Sequence, residues 1–191
     1  MSTKAVVGSI IASILITSGL IWGVLYLGVL PGVDTKNTVI QTKYGEWNSP
    51  AYIFDNQLTY TNMTDTELTI SIRTNSRILV TFSAMSIMTL DTTFTGRVGY
   101  NVSLIVVNEG NRTIQVDHFD GAPATGYIRQ YSITLFINYM TKTLPAGTYK
   151  IEVHWKSGFD APGTQNSLSV AHMGGTGYNF TRTLLAQELR G

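Results

Sequence analysis

The chain has 191 residues, with 13 Lys or Arg against 12 Asp or Glu and no cysteine. That length suits one domain plus an appendage, and basic residues spread from Lys4 to Arg190 without a run leave no electrostatic footprint for nucleic acid. Without a thiol there is no disulfide framework, thiolate metal site or thiol nucleophile, and 26 Thr, 14 Ser, 10 Tyr and 18 Gly favour pleated strands and tight turns.

The first predicted element is a helix. Ala5 to Leu30 is a run dominated by Ile, Leu and Val, and no charge occurs from Ala5 to Val33. A helix rises about 1.5 Å per residue, so this run exceeds the roughly 20 residues that cross a hydrocarbon core of about 30 Å. In lipid its backbone groups must pair within the segment, which makes it helical despite its β-branched residues. Trp22 and Tyr26 fall toward the headgroup level, and Pro31-Gly32 stops the helix. Two other fates compete with an uncut anchor: cleavage as a secretory signal, and processing near Lys4-Ala5 into a pilin-like filament core. The apolar core exceeds the 7 to 15 residues of a secretory signal, and Gly28 to Gly32 offers no small-x-small site. Lys4 and the α-amino group therefore stay cytoplasmic, and the rest of the chain passes outside.

Residues 31–44 read as a tether or first edge strand. Beyond Glu46 the periodicity is two. Leu68, Ile70 and Ile72 alternate with polar residues up to the turn Thr74-Asn75-Ser76, after which Ile78, Val80, Phe82 and Ala84 begin a second series. Tyr100, Val102, Leu104 and Val106 form a third, which turns at Asn108-Glu109-Gly110-Asn111 into a hairpin with Thr113 to Phe119. Tyr127, Tyr131, Ile133, Leu135, Ile137 and Tyr139 share a parity, followed by the turn Leu144 to Gly147 and the strand Tyr149, Ile151, Val153, Trp155. Ser167 to His172, a glycine-rich corner and Arg182 to Leu189 close the chain. About eight strands at these spacings suit a β-sandwich or jelly roll rather than βαβ units. The predicted organisation is all-β: residues 1–30 a transmembrane helix, 31–44 a tether or edge strand, and 45–191 a jelly-roll ectodomain.

Three stretches carry a resemblance: Ser76 to Ala84, Leu144-Pro145-Ala146-Gly147-Thr148-Tyr149 through Lys156, and Arg182 to Leu189. Their succession resembles C1q/TNF-like jelly-roll domains of prokaryotic and viral surface proteins, over roughly residues 46 to 190. The resemblance implies an eight- or ten-stranded sandwich, usually trimeric, used in adhesion, receptor binding or structural display. Where animal members carry a collagen-like stalk, this chain carries the apolar segment.

Four sequons follow the anchor, with acceptors Asn62, Asn101, Asn111 and Asn179, and fit a body exposed outside the membrane. Ile105, Val107, Phe136 and Met140 stand on the parity opposite the apolar face of their strands, a placement that marks subunit interfaces. The alternative is a central strand covered on both faces within one chain, or a register slip at a bulge. Asp117, His118 and Asp120, with Asp160, form the densest polar cluster, yet residues 117 and 120 of one strand point to opposite faces, which argues against a shared metal. His154 alternates outward between Glu152 and Lys156. No G-x-S-x-G, H-E-x-x-H or phosphate-cradling loop occurs. The expectation is a non-enzymatic surface display or structural protein without cofactor, held in lipid by residues 5–30 and self-associating as a trimer, with a surface glycan or protein as ligand. A filament subunit and an extracellular carbohydrate-binding module are the alternatives.

Overall fold

The computed structural model describes residues 38–121, 127–158, 165–170 and 181–190. The apolar segment 5–30 and the acceptor Asn179 lie outside them. Among the described residues there are ten strands: β1 (Val39–Trp47), β2 (Ala51–Phe54), β3 (Thr61–Ile72), β4 (Ser76–Leu90), β5 (Gly96–Val106), β6 (Gly110–Asp120), β7 (Arg129–Met140), β8 (Gly147–Ser157), β9 (Ser167–Val170) and β10 (Arg182–Arg190). They form two antiparallel sheets, an all-β sandwich. One is six-stranded, in the order β1-β10-β4-β9-β2 with β7 on the free edge of β4; the other runs β3-β8-β5-β6.

Alternation writes the core. The inward residues of β4, from Ile78 through Val80, Phe82, Ala84 and Met88 to Leu90, are all buried, and they meet Tyr100, Val102, Leu104 and Val106 of β5 with Ile151, Val153 and Trp155 of β8. A pleated strand sends successive side chains to opposite faces, so each odd–even series fixes which sheet face turns inward. Burying one such Leu, Ile or Phe is worth about 1.5–3 kcal/mol, and this shared core holds the two sheets together.

Several connections need special backbone. Asn75 takes φ 59° where the chain arches from β3 in one sheet to β4 in the other, and Asn108 (φ 66°) and Gly110 (φ 139°) form the β5–β6 turn. Asparagine tolerates this left-handed region better than most residues. β5–β6 is the one consecutive pair of described strands that hydrogen-bonds directly.

Two sequence expectations change. Tyr127 precedes β7 rather than belonging to it and is 77% exposed. β2, four residues between Pro50 and Asp55, adds a strand to the expected set, and it pairs with β9 because its register places Ala51 opposite Val170 and Ile53 opposite Leu168 on the core side.

Candidate interaction surfaces and site residues

The outward face of the six-stranded sheet can be read off its register. One row holds Asn138, Thr81, Leu185 and Tyr44; its neighbours hold Phe136, Ser83, Thr183 and Glu46, and Met140, Leu79, Gln187 and Thr42. Toward the far end of β4 come Thr134 beside Met85, then Ser132, Ile87, Ser169 and Tyr52, then Gln130, Thr89, Ser167 and Phe54. Glu46 is the only ionised side chain among these described residues, and the Tyr44 hydroxyl donates to it at 2.8 Å. Phe136, Met140, Met85, Tyr44, Tyr52 and Phe54 are all exposed here. Aromatic and Met side chains without charge are the composition of an interface core.

The outward face of the four-stranded sheet differs in kind. Glu67 stands opposite Glu152, and Lys150 Nζ sits between them at 2.7 Å from Glu67 and 2.8 Å from Glu152. His154 Nε2 contacts the same Glu152 at 2.9 Å. The bond from Lys150 is the main reason the Glu152 carboxyl titrates below its ordinary range: partial burial opposes it and His154 adds to it. Lys150 is correspondingly raised, first by Glu152 and then by Glu67. Lys156 lies over the Tyr60 ring at 5.0 Å, a cation–π contact on the same side.

All three described sequon acceptors lie on this second face. Asn62 pairs with His154, Asn101 with Lys156 and Asn111 with Ile105. Asn62 and Asn111 are exposed and Asn101 half-buried. The hydroxyls of two sequons, Ser103 and Thr113, hydrogen-bond each other across β5 and β6. The four residues expected at an interface are thus split between faces. Phe136 (57% exposed) and Met140 (48% exposed) stand on the outward face of the six-stranded sheet; Ile105 is half-buried beside Glu152, and Val107 is half-buried just past the end of β5.

The polar cluster on β6 separates as its parity requires. Asp117 pairs with Arg97 on the outside, while Asp120 takes the Arg129 guanidinium, which also donates to the Asp91 and Phe94 carbonyls at 3.0 and 2.7 Å. His118 stacks on Tyr131, ring centroids 3.9 Å apart. Asp160 lies outside the described residues. Among the described residues no three His, Asp or Glu side chains converge.

The buried polar groups leave one signal in the sequence, on β10. Arg182 and Glu188 share the inward parity of Leu184 and Ala186, and both are fully buried. Arg182 donates to Thr66 Oγ1 at 2.5 Å, to the Thr64 carbonyl at 2.6 Å and to the Ser49 carbonyl and hydroxyl. Burial lowers its pKa, with Asp65 opposing. It thereby pins the bulge in β3 where the register slips between Asn62 and Glu67. Burial pushes the Glu188 carboxyl up, but bonds from the Arg73 amide (2.8 Å), the Ser76 hydroxyl (2.7 Å) and the Gln41 amide (2.6 Å) outweigh it, and the net shift is downward. Asp55 and Asn166, 111 positions apart, are joined at 2.9 Å in a second buried pair. Near it burial, with the Asp55 charge adding, raises the Tyr100 phenol far above its usual range.

No protein-family model matches the sequence, and no curated protein matches it. Solved structures give distant likenesses. Latent PorU from Porphyromonas gingivalis aligns at 10% identity over 85% of this chain and 14% of its own, TM-score 0.32. The VP2 protein of infectious bursal disease virus aligns at 20% identity over 84% of this chain and 40% of its own, TM-score 0.28. Eiger TNF from S. frugiperda aligns at 10% identity over 71% of this chain and 90% of its own, TM-score 0.29. The chain thus spans less than half of the first two. At such TM-scores these likenesses carry no argument, and the fold rests on the strand order itself.

Proposed function

We propose that this protein is a non-enzymatic surface display or structural protein, a jelly-roll body held outside a membrane by residues 5–30 and assembled with further copies of itself. Setting aside β2 and β9, strands ordered 1-10-4-7 face strands ordered 3-8-5-6, which is the arrangement of two Greek keys in a jelly roll. The observation that carries the function is the outward side of the six-stranded sheet, where six exposed aromatic or Met side chains share a face whose charges, Glu46 on β1 and Arg77 at the start of β4, lie at its margins. A monomer gains nothing from presenting such a face to water; an assembling or adhesive protein does. The body is expected outside the cell or on a virion, with the N-terminus cytoplasmic and sugar at the sequons.

The test uses the full chain in membranes. Carbonate at high pH is expected to leave it in the pellet, and protease added to intact cells or particles is expected to digest the body. Release by carbonate, or a protected body, overturns the reading.

One observation favours a second reading. Among the described strands β1 pairs in the ladder with β10 alone, at the edge of its sheet, so a neighbour's β1 could occupy the same register and link subunits into a filament. Long polymers in electron micrographs of surface material would decide for it; discrete particles would decide for display.

A further inference from the structure

We propose that the two outer faces divide their labour: the six-stranded sheet seats a second copy of this chain, and the four-stranded sheet turns away from that contact and carries N-linked sugar. The proposal rests on the surface-protein reading above and gives each outer face its occupant.

Three observations point to a second copy as the occupant. The first is area. Four neighbouring strands at about 4.8 Å, over the eleven residues from Leu79 to Thr89 at about 3.3 Å each, make a patch of roughly 700 Å² in flat projection. Accessible area exceeds projection on a pleated surface, and a standard interface needs about 800 Å² per partner. The second is charge. A copy meeting a copy places like against like, so a face that can meet itself must lack strong like-sign clusters. The rows from Met140 to Phe54 hold one carboxylate, at the outer edge on β1; the other face holds Glu67, Lys150, Glu152 and His154 in one network. Hydroxyls interleave the apolar side chains, with Ser83 beside Phe136 and Thr134 beside Met85. That mixture suits a protein partner better than lipid, because the hydroxyls need partners once water leaves.

The third observation is the placement of the acceptors. Asn62, Ser103 and Thr113 fall in a single cross-strand row, with Asn101 and Asn111 in the rows to either side. Sugar on any of them keeps the four-stranded face in solvent. None of the three described acceptors stands on the six-stranded face, where a sugar would hold a partner off.

The same geometry supplies a test, because Asn138-Tyr139-Met140 becomes a sequon on the contact face by a single change, Met140→Thr. The full chain is expressed in cells that glycosylate exported proteins, extracted in mild detergent, and its mass measured. The parent is expected to be oligomeric. In M140T the sugar-bearing fraction is expected to fall to single-chain mass, while N138Q/M140T, which lacks the same Met but also the acceptor, stays assembled. F136E, at an exposed position outside the core, is expected to dissociate without any sugar, and I105K on the opposite face to keep the parent's mass. Joint replacement of Asn62, Asn101 and Asn111 by Gln should shift mobility and leave assembly intact. A monomeric parent, or a folded F136E with the parent's mass, overturns the contact face whether or not the chain proves membrane-bound. Failure of the carbonate and protease test with F136E still dissociating sinks the surface reading alone.

Discussion

Phe82 and Phe136 are a ring on each side of one sheet. Phe82 pairs with Ile137, the residue next to Phe136, and is fully buried, whereas Phe136 is 57% exposed. The pleat alone separates them. The inner ring is held by the opposite sheet, and the outer one has no described side chain above it in its own chain. A sheet that covers one face leaves the other to be either wetted or docked. Here the two outer faces have gone opposite ways: charge, sequons and a lysine–carboxylate network on the four-stranded sheet, aromatic and Met side chains on the six-stranded one.

The sharpest way to break this contrast is to truncate both rings. Phe82→Ala is expected to destabilise the body by about 3–5 kcal/mol, the usual cost of deleting a buried ring, read as a drop in denaturant midpoint. Phe136→Ala should shift the unfolding midpoint of dilute, dissociated body within about 0.5 kcal/mol. Equal effects would mean that the outer ring is covered within the chain.

Next in size is Arg182→Met, which strips the Thr64 and Ser49 carbonyls and the Thr66 hydroxyl of their donor. Stranded buried acceptors cost about 1–3 kcal/mol, and the loss should be accompanied by faster amide exchange in the β3 bulge. Unchanged exchange there would show that Arg182 does not pin it.

The acid limb of stability gives a third measurement. Glu188 has a folded pKa below its unfolded value, so the unfolded chain binds more protons and stability rises with pH. Its contribution is present above the unfolded carboxylate range near 4.5 and is lost as pH falls through the lower folded value. Glu188→Gln should flatten that limb, and a parallel acid profile would refute the assignment. Glu152, held low first by Lys150, acts in the same direction over the same window. Being on the surface, its replacement by Gln should have the smallest effect, and added salt should erase the difference.

Strand parity was legible in the sequence wherever one face is buried, because burial itself writes the alternation: Ile78 to Leu90 and Tyr100 to Val106 show it. Phe136 and Met140 were legible as outward residues for the same reason. Their separation from Ile105 and Val107 was not, since it depends on which sheet each strand joins. The gathering of Asn62, Asn101 and Asn111 on one face likewise requires the register between strands far apart in the chain. β2 is not legible in the sequence, because four residues, Ala51 to Phe54, are too few to establish a period. Arg182 and Glu188 were written in the inward parity of β10, but a polar residue there becomes informative only once its partners, from Ser49 to Ser76, are known.

The position of β10 governs the order in which the body can be finished. It lies between β1 and β4, the first and fourth of the described strands, and bonds to both. Until it arrives, those two strands have no common partner, and the half of the sheet they belong to stays open. The β5–β6 hairpin can close early, being local. Any enzyme that attaches sugar at Asn101 and Asn111 must therefore act before Ser103 and Thr113 bond to each other, on a timetable set by the hairpin's own closure rather than by completion of the sandwich.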